Sequence, residues 1–192
     1  PEVPDGAPVP EQKKKKTVAA VLFDYVEMFT WSVFAVLLIF TFGFRLCQVD
    51  GRSMENTLQD SQRLLLRSAF YTPKQDDIIV FHLTKPEVNL EKTLVKRVIA
   101  KGGDTIRIDY STGAVTVNGE LLQEDYIAEP TYLGYDVEFP YTVPEGTVFV
   151  MGDNRNASLD SRSSYVGCID ERDILGKVLL CFLPFSDFGV VK

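Results

Sequence analysis

Met-Phe-Thr-Trp-Ser-Val-Phe-Ala-Val-Leu-Leu-Ile-Phe-Thr-Phe-Gly-Phe, residues 28–44, carries no charged side chain and divides the chain into two unlike parts. At about 1.5 Å per residue the run makes a helix of roughly 25 Å, slightly short of a bilayer's hydrocarbon core. Val18 to Tyr25 and Leu46 can lengthen it, and Arg45 can snorkel to an interface. A buried helix of a soluble domain would show a polar face, whereas this run offers only Thr30, Ser32 and Thr41. A cleaved leader would have a shorter apolar region and a small-residue exit, and the exit here is Phe44-Arg45-Leu46-Cys47. An uncleaved membrane anchor over residues 18–46 fits best.

Upstream, residues 1–17 combine Pro1, Pro4, Pro8 and Pro10 with small and acidic residues, then the solid block Lys13-Lys14-Lys15-Lys16. Such a composition cannot bury enough apolar surface to order itself, so a loose basic tail is expected. Lysines before the anchor and a single arginine after it place the tail in the cytoplasm and residues 47–192 outside. The net charge of −7 argues against a nucleic-acid partner, which would want a basic face. Charges cancel up to Leu46, so the acidic excess lies in the outer part.

Beyond Cys47 the pattern changes to short β-branched and apolar runs. Residues 78–81, 94–99, 105–108, 115–117, 148–151 and 177–183 read as strands, and Asn118-Gly119 as a tight hairpin turn. No stretch here holds a helical period beyond two turns. The expectation is a mostly-β outer domain large enough for its own core. Cys47, Cys168 and Cys181 have no metal-ligand spacing. A Cys168–Cys181 bridge and free buried thiols both remain open.

Three stretches carry chemistry. Val49-Asp50-Gly51-Arg52-Ser53-Met54-Glu55-Asn56-Thr57-Leu58 places a serine just past the anchor, two residues after a glycine. Leu94-Val95-Lys96-Arg97-Val98-Ile99 sets one lysine in an apolar strand, on the face it shares with Leu94 and Val98. Met151 to Arg162 is dense in polar groups straight after the apolar Val148-Phe149-Val150. A serine needs a base. The sole histidine, His82, has no acidic partner in an obvious orienting position in the sequence, so a histidine triad is disfavoured. A lysine whose pKa is depressed by burial is the other candidate, and Lys96 meets that demand best, although an exposed edge-strand lysine reads equally well from periodicity.

In order along the chain, these three stretches resemble the signature boxes of type I signal peptidases, the bacterial serine–lysine membrane proteases. The resemblance implies a signal-peptidase-like antiparallel β-sheet catalytic domain behind a transmembrane helix. It maps the nucleophile to Ser53 and the general base to Lys96. Ser158 would help hold the lysine amine, and Asp160 and Arg162 would form a supporting ionic contact that Arg97 joins. Walls for small substrate side chains would come from Val49, Met54, Leu58, Leu94 and Val95, each of which reads equally well as ordinary core. No metal or cofactor is implied. The implied partners are signal peptides of secreted preproteins and the lipid bilayer, near the protein export channel. Two departures stand out. Gly51 occupies a position where some members carry a serine or threonine that completes the oxyanion hole, and Asn56 stands where the family favours proline.

Two other functions are compatible with part of these features. A self-cleaving repressor shares the serine–lysine chemistry but needs a DNA-binding module where the anchor stands. A membrane-tethered, non-catalytic binding domain would have no chemical reason to keep Ser53, Lys96, Ser158 and Asp160 together.

Overall fold

The computed structural model describes residues 17–85 and 90–191, so the expected basic tail, with Lys13 to Lys16, lies outside the described residues. Two compact units divide the chain at Ile39/Phe40. The described part of the first lies in a helix, α1 (Val18–Gly43), whose last four residues belong to the second unit and none of whose residues is buried. Phe23, Trp31 and Phe34 are among its many exposed large apolar side chains. The helix ends at Gly43, three residues before the expected Leu46. Phe44 to Gln48 turns extended because its backbone finds a strand partner, and the Gly43 carbonyl accepts the Ser68 N–H at 3.0 Å.

The second unit is built from strands β1 (Phe44–Gln48), β2 (Arg63–Arg67), β3 (Ile78–Lys85), β4 (Leu90–Lys101), β5 (Thr105–Asp109), β6 (Ala114–Val117), β7 (Glu120–Leu121), β8 (Tyr141–Thr142), β9 (Thr147–Met151), β10 (Ile169–Asp170), β11 (Ile174–Leu183) and β12 (Gly189–Val190). All described pairings are antiparallel. The main sheet runs β1-β2-β11-β3-β4-β9-β10, with β12 alongside β11, and a smaller sheet runs β7-β6-β5-β8. The fold is mostly antiparallel β behind one apolar helix, as the periodicity leads one to expect. The short β1 and β2 escaped the sequence reading, since Arg63-Leu64-Leu65-Leu66-Arg67 shows no alternation.

Ile78-Ile79-Val80-Phe81 is a continuous apolar run because β3 is buried on both faces. Ile78 and Val80 pack with Leu64, Leu66 and Val178, while Ile79 and Phe81 pack with Val98, Val150 and Val166. A third cluster, including Ile106, Val115, Phe149 and Met151, joins the smaller sheet to the larger. The Asn118-Gly119 turn has positive φ at both residues, 53° and 87°, as a tight hairpin between β6 and β7 requires. The three cysteines are free: Cys181 lies in the first cluster and Cys168 packs against the third. The open question of a Cys168–Cys181 bridge is thus answered in favour of thiols.

Candidate active site

The long connection from β1 to β2 is pinned at its neck by Val49 N–H to Gln62 O at 2.8 Å and Ser61 N–H to Val49 O at 2.9 Å. Val49, Met54 and Leu58 plug into the core, at 4%, 1% and 1% exposure. With those three side chains facing inward, Ser53 is left at the rim of the sheet. Gly51 holds φ +92°, a conformation that side chains rarely adopt, and its N–H donates to Asp60 Oδ1 at 2.7 Å. A serine hydroxyl at position 51 therefore could not be added without backbone strain.

Lys96 comes from the middle of β4, paired across to Ile79, on the face it shares with Leu94 and Val98. It is 3% exposed. Its Nζ lies 2.6 Å from Ser53 Oγ and 3.1 Å from the Val95 carbonyl oxygen. Burial lowers its pKa to about 8; the carboxylates of Asp160 and Asp153 pull it partly back up, and Arg162 pushes it down again. The strand face itself holds no acid, but the segment after β9 brings two carboxylates close enough to matter.

That segment is fastened to the loop that carries Ser53. Asn154 donates its backbone N–H to Ser53 O and its Nδ2 to Arg52 O, both at 3.1 Å. A Cβ on Gly152 would stand 2.4 Å from Ser53 O and 2.3 Å from Ser158 Oγ, so only glycine lets the two chains approach this closely. Asp160 accepts from Arg162 Nε at 2.8 Å, from its Nη2 at 2.9 Å and from Gly152 N–H at 3.0 Å, with both side chains fully buried. Arg162 also donates to the carbonyls of Leu133, Arg155 and Ser158, which leaves little freedom in the turn.

Three sequence expectations change here. Arg97 does not join Asp160; it makes a two-pronged pair with Asp153, Nε to Oδ1 at 2.8 Å and Nη2 to Oδ2 at 2.7 Å, because it points to the opposite face of β4 from Lys96. Ser158 is fully buried, and its Oγ makes no hydrogen bond among the described residues, the lysine amine included; it rests against Gly152. Of the five residues expected to wall a substrate pocket, only Leu94 lines the cleft beside Ser53. Val49, Met54 and Leu58 are core, and Val95 packs on the far face of β4. The cleft holds about 370 Å³, and its apolar walls are Leu83, Leu94, Leu159 and Val166. Lys92, in β4, also borders it.

Sequence reasoning gave no role to Asp153, Thr57 or Tyr126. Thr57 Oγ1 donates to Asp153 Oδ2 at 2.5 Å, so one buried carboxylate grips both the Ser53 loop and, through Arg97, the strand of Lys96. The Tyr126 ring lies 3.8 Å from the Arg97 guanidinium carbon. Asp153 and Thr57 lie within the polar and serine-bearing stretches of the sequence, whereas Tyr126 sits in irregular chain with no pattern to single it out. His82 is paired with Glu91 Oε1 at 3.1 Å, a partner that the sequence did not suggest because it comes from the neighbouring strand.

The description "Signal peptidase, peptidase S26" matches residues 22–183 of this chain. The chain belongs to that signal peptidase family. A probable signal peptidase I-2 of Synechocystis sp. is 35% identical over 87% of this chain and 77% of its own length. Signal peptidase I of Bacillus licheniformis is also 35% identical, over 86% of this chain and 91% of its own. A crystal structure of a signal peptidase I from Enterococcus faecalis V583 aligns with TM-score 0.43 and 29% identity, covering 57% of this chain and 98% of that one. The S26 family is one of peptidases, so this chain is a peptidase, and the cleft beside Ser53 is its candidate active site.

Proposed function

We propose that this chain is a membrane-anchored signal peptidase I that cuts signal peptides from exported preproteins, with Ser53 as nucleophile and Lys96 as general base. The observation that carries the reading is the 2.6 Å approach of Lys96 Nζ to Ser53 Oγ, with the amine buried and no carboxylate paired directly to it. Neutral Lys96 takes the Ser53 proton as Oγ attacks the scissile carbonyl. The proton then passes to the leaving amine, and an acyl-enzyme remains. Lys96 next activates a water that releases the acyl group. The Ser53 N–H is the main donor for the oxyanion, since Gly51 supplies no hydroxyl. Asp160, Arg162, Arg97 and Asp153 act as positioning groups that hold the Ser53 loop against β4. Leu83, Leu94 and Val166 narrow the cleft and favour small side chains next to the cut.

The pH dependence tests the base. Cleavage of a signal-peptide substrate should rise about tenfold per pH unit below about 8 and level off above it, tracking deprotonation of Lys96. An activity limb that disappears on mutating His82 and survives Lys96→Met would assign the base to histidine instead.

The fully exposed apolar helix α1 supports an anchor with the tail inside and the catalytic domain outside, near the export channel. Protease added to spheroplasts should then digest the region after Cys47 and spare the tail. Digestion of the tail alone would invert the topology.

A further inference from the structure

We propose that Arg67, Lys74 and Lys177, rimmed by Phe70, form a site for the phosphate of an anionic phospholipid headgroup. The site is a cavity of about 300 Å³ lined by these residues with Tyr71, Thr72 and Asp77. Arg67 and Lys177 stand directly opposite each other on β2 and β11, a like-charge cross-strand pair that Asp77 compensates only on the Lys177 side. Asp77 is already engaged by Lys177 Nζ at 2.5 Å, by Tyr71 Oη at 2.8 Å and by the Lys74 N–H at 3.1 Å. Glu171 is the other carboxylate felt here, through Tyr71. Arg67 meets no carboxylate among the described residues; its Nη2 donates only to the Phe70 carbonyl at 3.2 Å. The Lys74 ammonium has no hydrogen-bond partner among the described residues. Two cations thus border the cavity without direct compensation, and a phosphate would accept charge-assisted bonds from both.

The location selects the lipid. Phe44, the residue that follows α1, pairs with Arg67, which pairs with Lys177. At about 4.8 Å per strand the cavity lies within roughly 10 Å of the helix end, a distance that keeps it near the headgroup layer. Ser68 N–H donates to the last helical carbonyl, Gly43 O, at 3.0 Å. Two residues further on, Phe70 is 99% exposed, a ring suited to the acyl boundary and ill suited to water. A basic pocket with an apolar tip beside a helix end matches the headgroup and upper acyl chain of one lipid. The inference rests on α1 being a membrane span, as read above.

The test uses the full chain in vesicles, with the natural Trp31 as a control, since it is the one tryptophan. A second protein carries Phe70→Trp with Trp31→Phe. Acyl-brominated phosphatidylcholine and acyl-brominated phosphatidylglycerol are compared as quenchers. Trp31 should be quenched by both lipids, and a tryptophan at position 70 preferentially by phosphatidylglycerol. Adding Arg67→Gln and Lys74→Gln should cut that preference about fivefold per cation removed, with cleavage of a soluble peptide unchanged as the check on folding. Equal quenching by both lipids at position 70, or a preference untouched by the two substitutions, overturns the site while leaving the anchor intact. An unquenched Trp31 overturns the membrane reading and the site with it. A saturable response to inorganic phosphate in detergent, without a phosphatidylglycerol preference, assigns the cavity to free phosphate and overturns the lipid.

Discussion

Replacing Lys96 by methionine is expected to lower cleavage by at least about 10⁴-fold while leaving the domain folded and no less stable at neutral pH. The activity loss follows from removing the base 2.6 Å from Ser53 Oγ. The stability follows from burial, which holds the folded pKa at about 8, below the ordinary lysine value. Between those two values the unfolded chain binds the proton that the folded chain releases. Stability therefore falls as pH drops through that window and, below about 8, the whole cost of burying the ammonium is present, on the order of 3 kcal/mol. Methionine fills the same space without that cost. Turnover and thermal unfolding from pH 6 to 10, measured on parent and variant, check both halves. Near-parental cleavage by Lys96→Met would remove Lys96 from the mechanism. A variant as pH-sensitive as the parent in that window would remove Lys96 as the source of the stability term.

Asp153→Ala is expected to destabilise the domain by about 3–5 kcal/mol, because it removes the buried carboxylate that pairs with the Arg97 guanidinium. Arg97 is 1% exposed and Asp153 fully buried, and the pair closes through two hydrogen bonds. Against a typical total stability of about 5–15 kcal/mol that is a large share, and the melting temperature should drop by about 6–20 °C. Cleavage should fall even at temperatures where the variant is folded, since Asp153 also holds Thr57, four residues after Ser53. Arg97→Met combined with Asp153→Leu separates the two effects: the double variant should regain most of the stability, having no orphaned charge, and still cleave poorly. A loss under about 1 kcal/mol in Asp153→Ala would show that the pair does not tie the two segments. Full activity in the double variant would show that the tie does not position the nucleophile.

Much of this molecule was legible in the chain. The charge-free 28–44 run, the six apolar strands and the Asn118-Gly119 turn follow from local patterns that survive in any tertiary context: hydrocarbon length, two-residue alternation and φ preference. Lys96 stood out as the best-placed lysine, although periodicity alone read it equally well as an exposed edge-strand side chain. Its partnership with Ser53 was suggested by inventory and resemblance, but only folding could bring a loop and a strand separated by so many residues within 2.6 Å. Strand pairing and core filling decided the rest. The helix stops at Gly43 because Phe44–Gln48 gains a ladder with Arg63–Arg67. Val49, Met54 and Leu58 became core and not pocket because the loop must close over the sheet, and apolar side chains near a cleft have no local signal telling which way they face. Arg97 chose Asp153 over Asp160 because adjacent residues on a strand face opposite ways, and which carboxylate waits on each side depends on how residues 152–162 cross the sheet. Glu91 reached His82, and Asp153 reached Thr57, for the same reason: pairing between distant segments is set by register and burial, which periodicity does not encode.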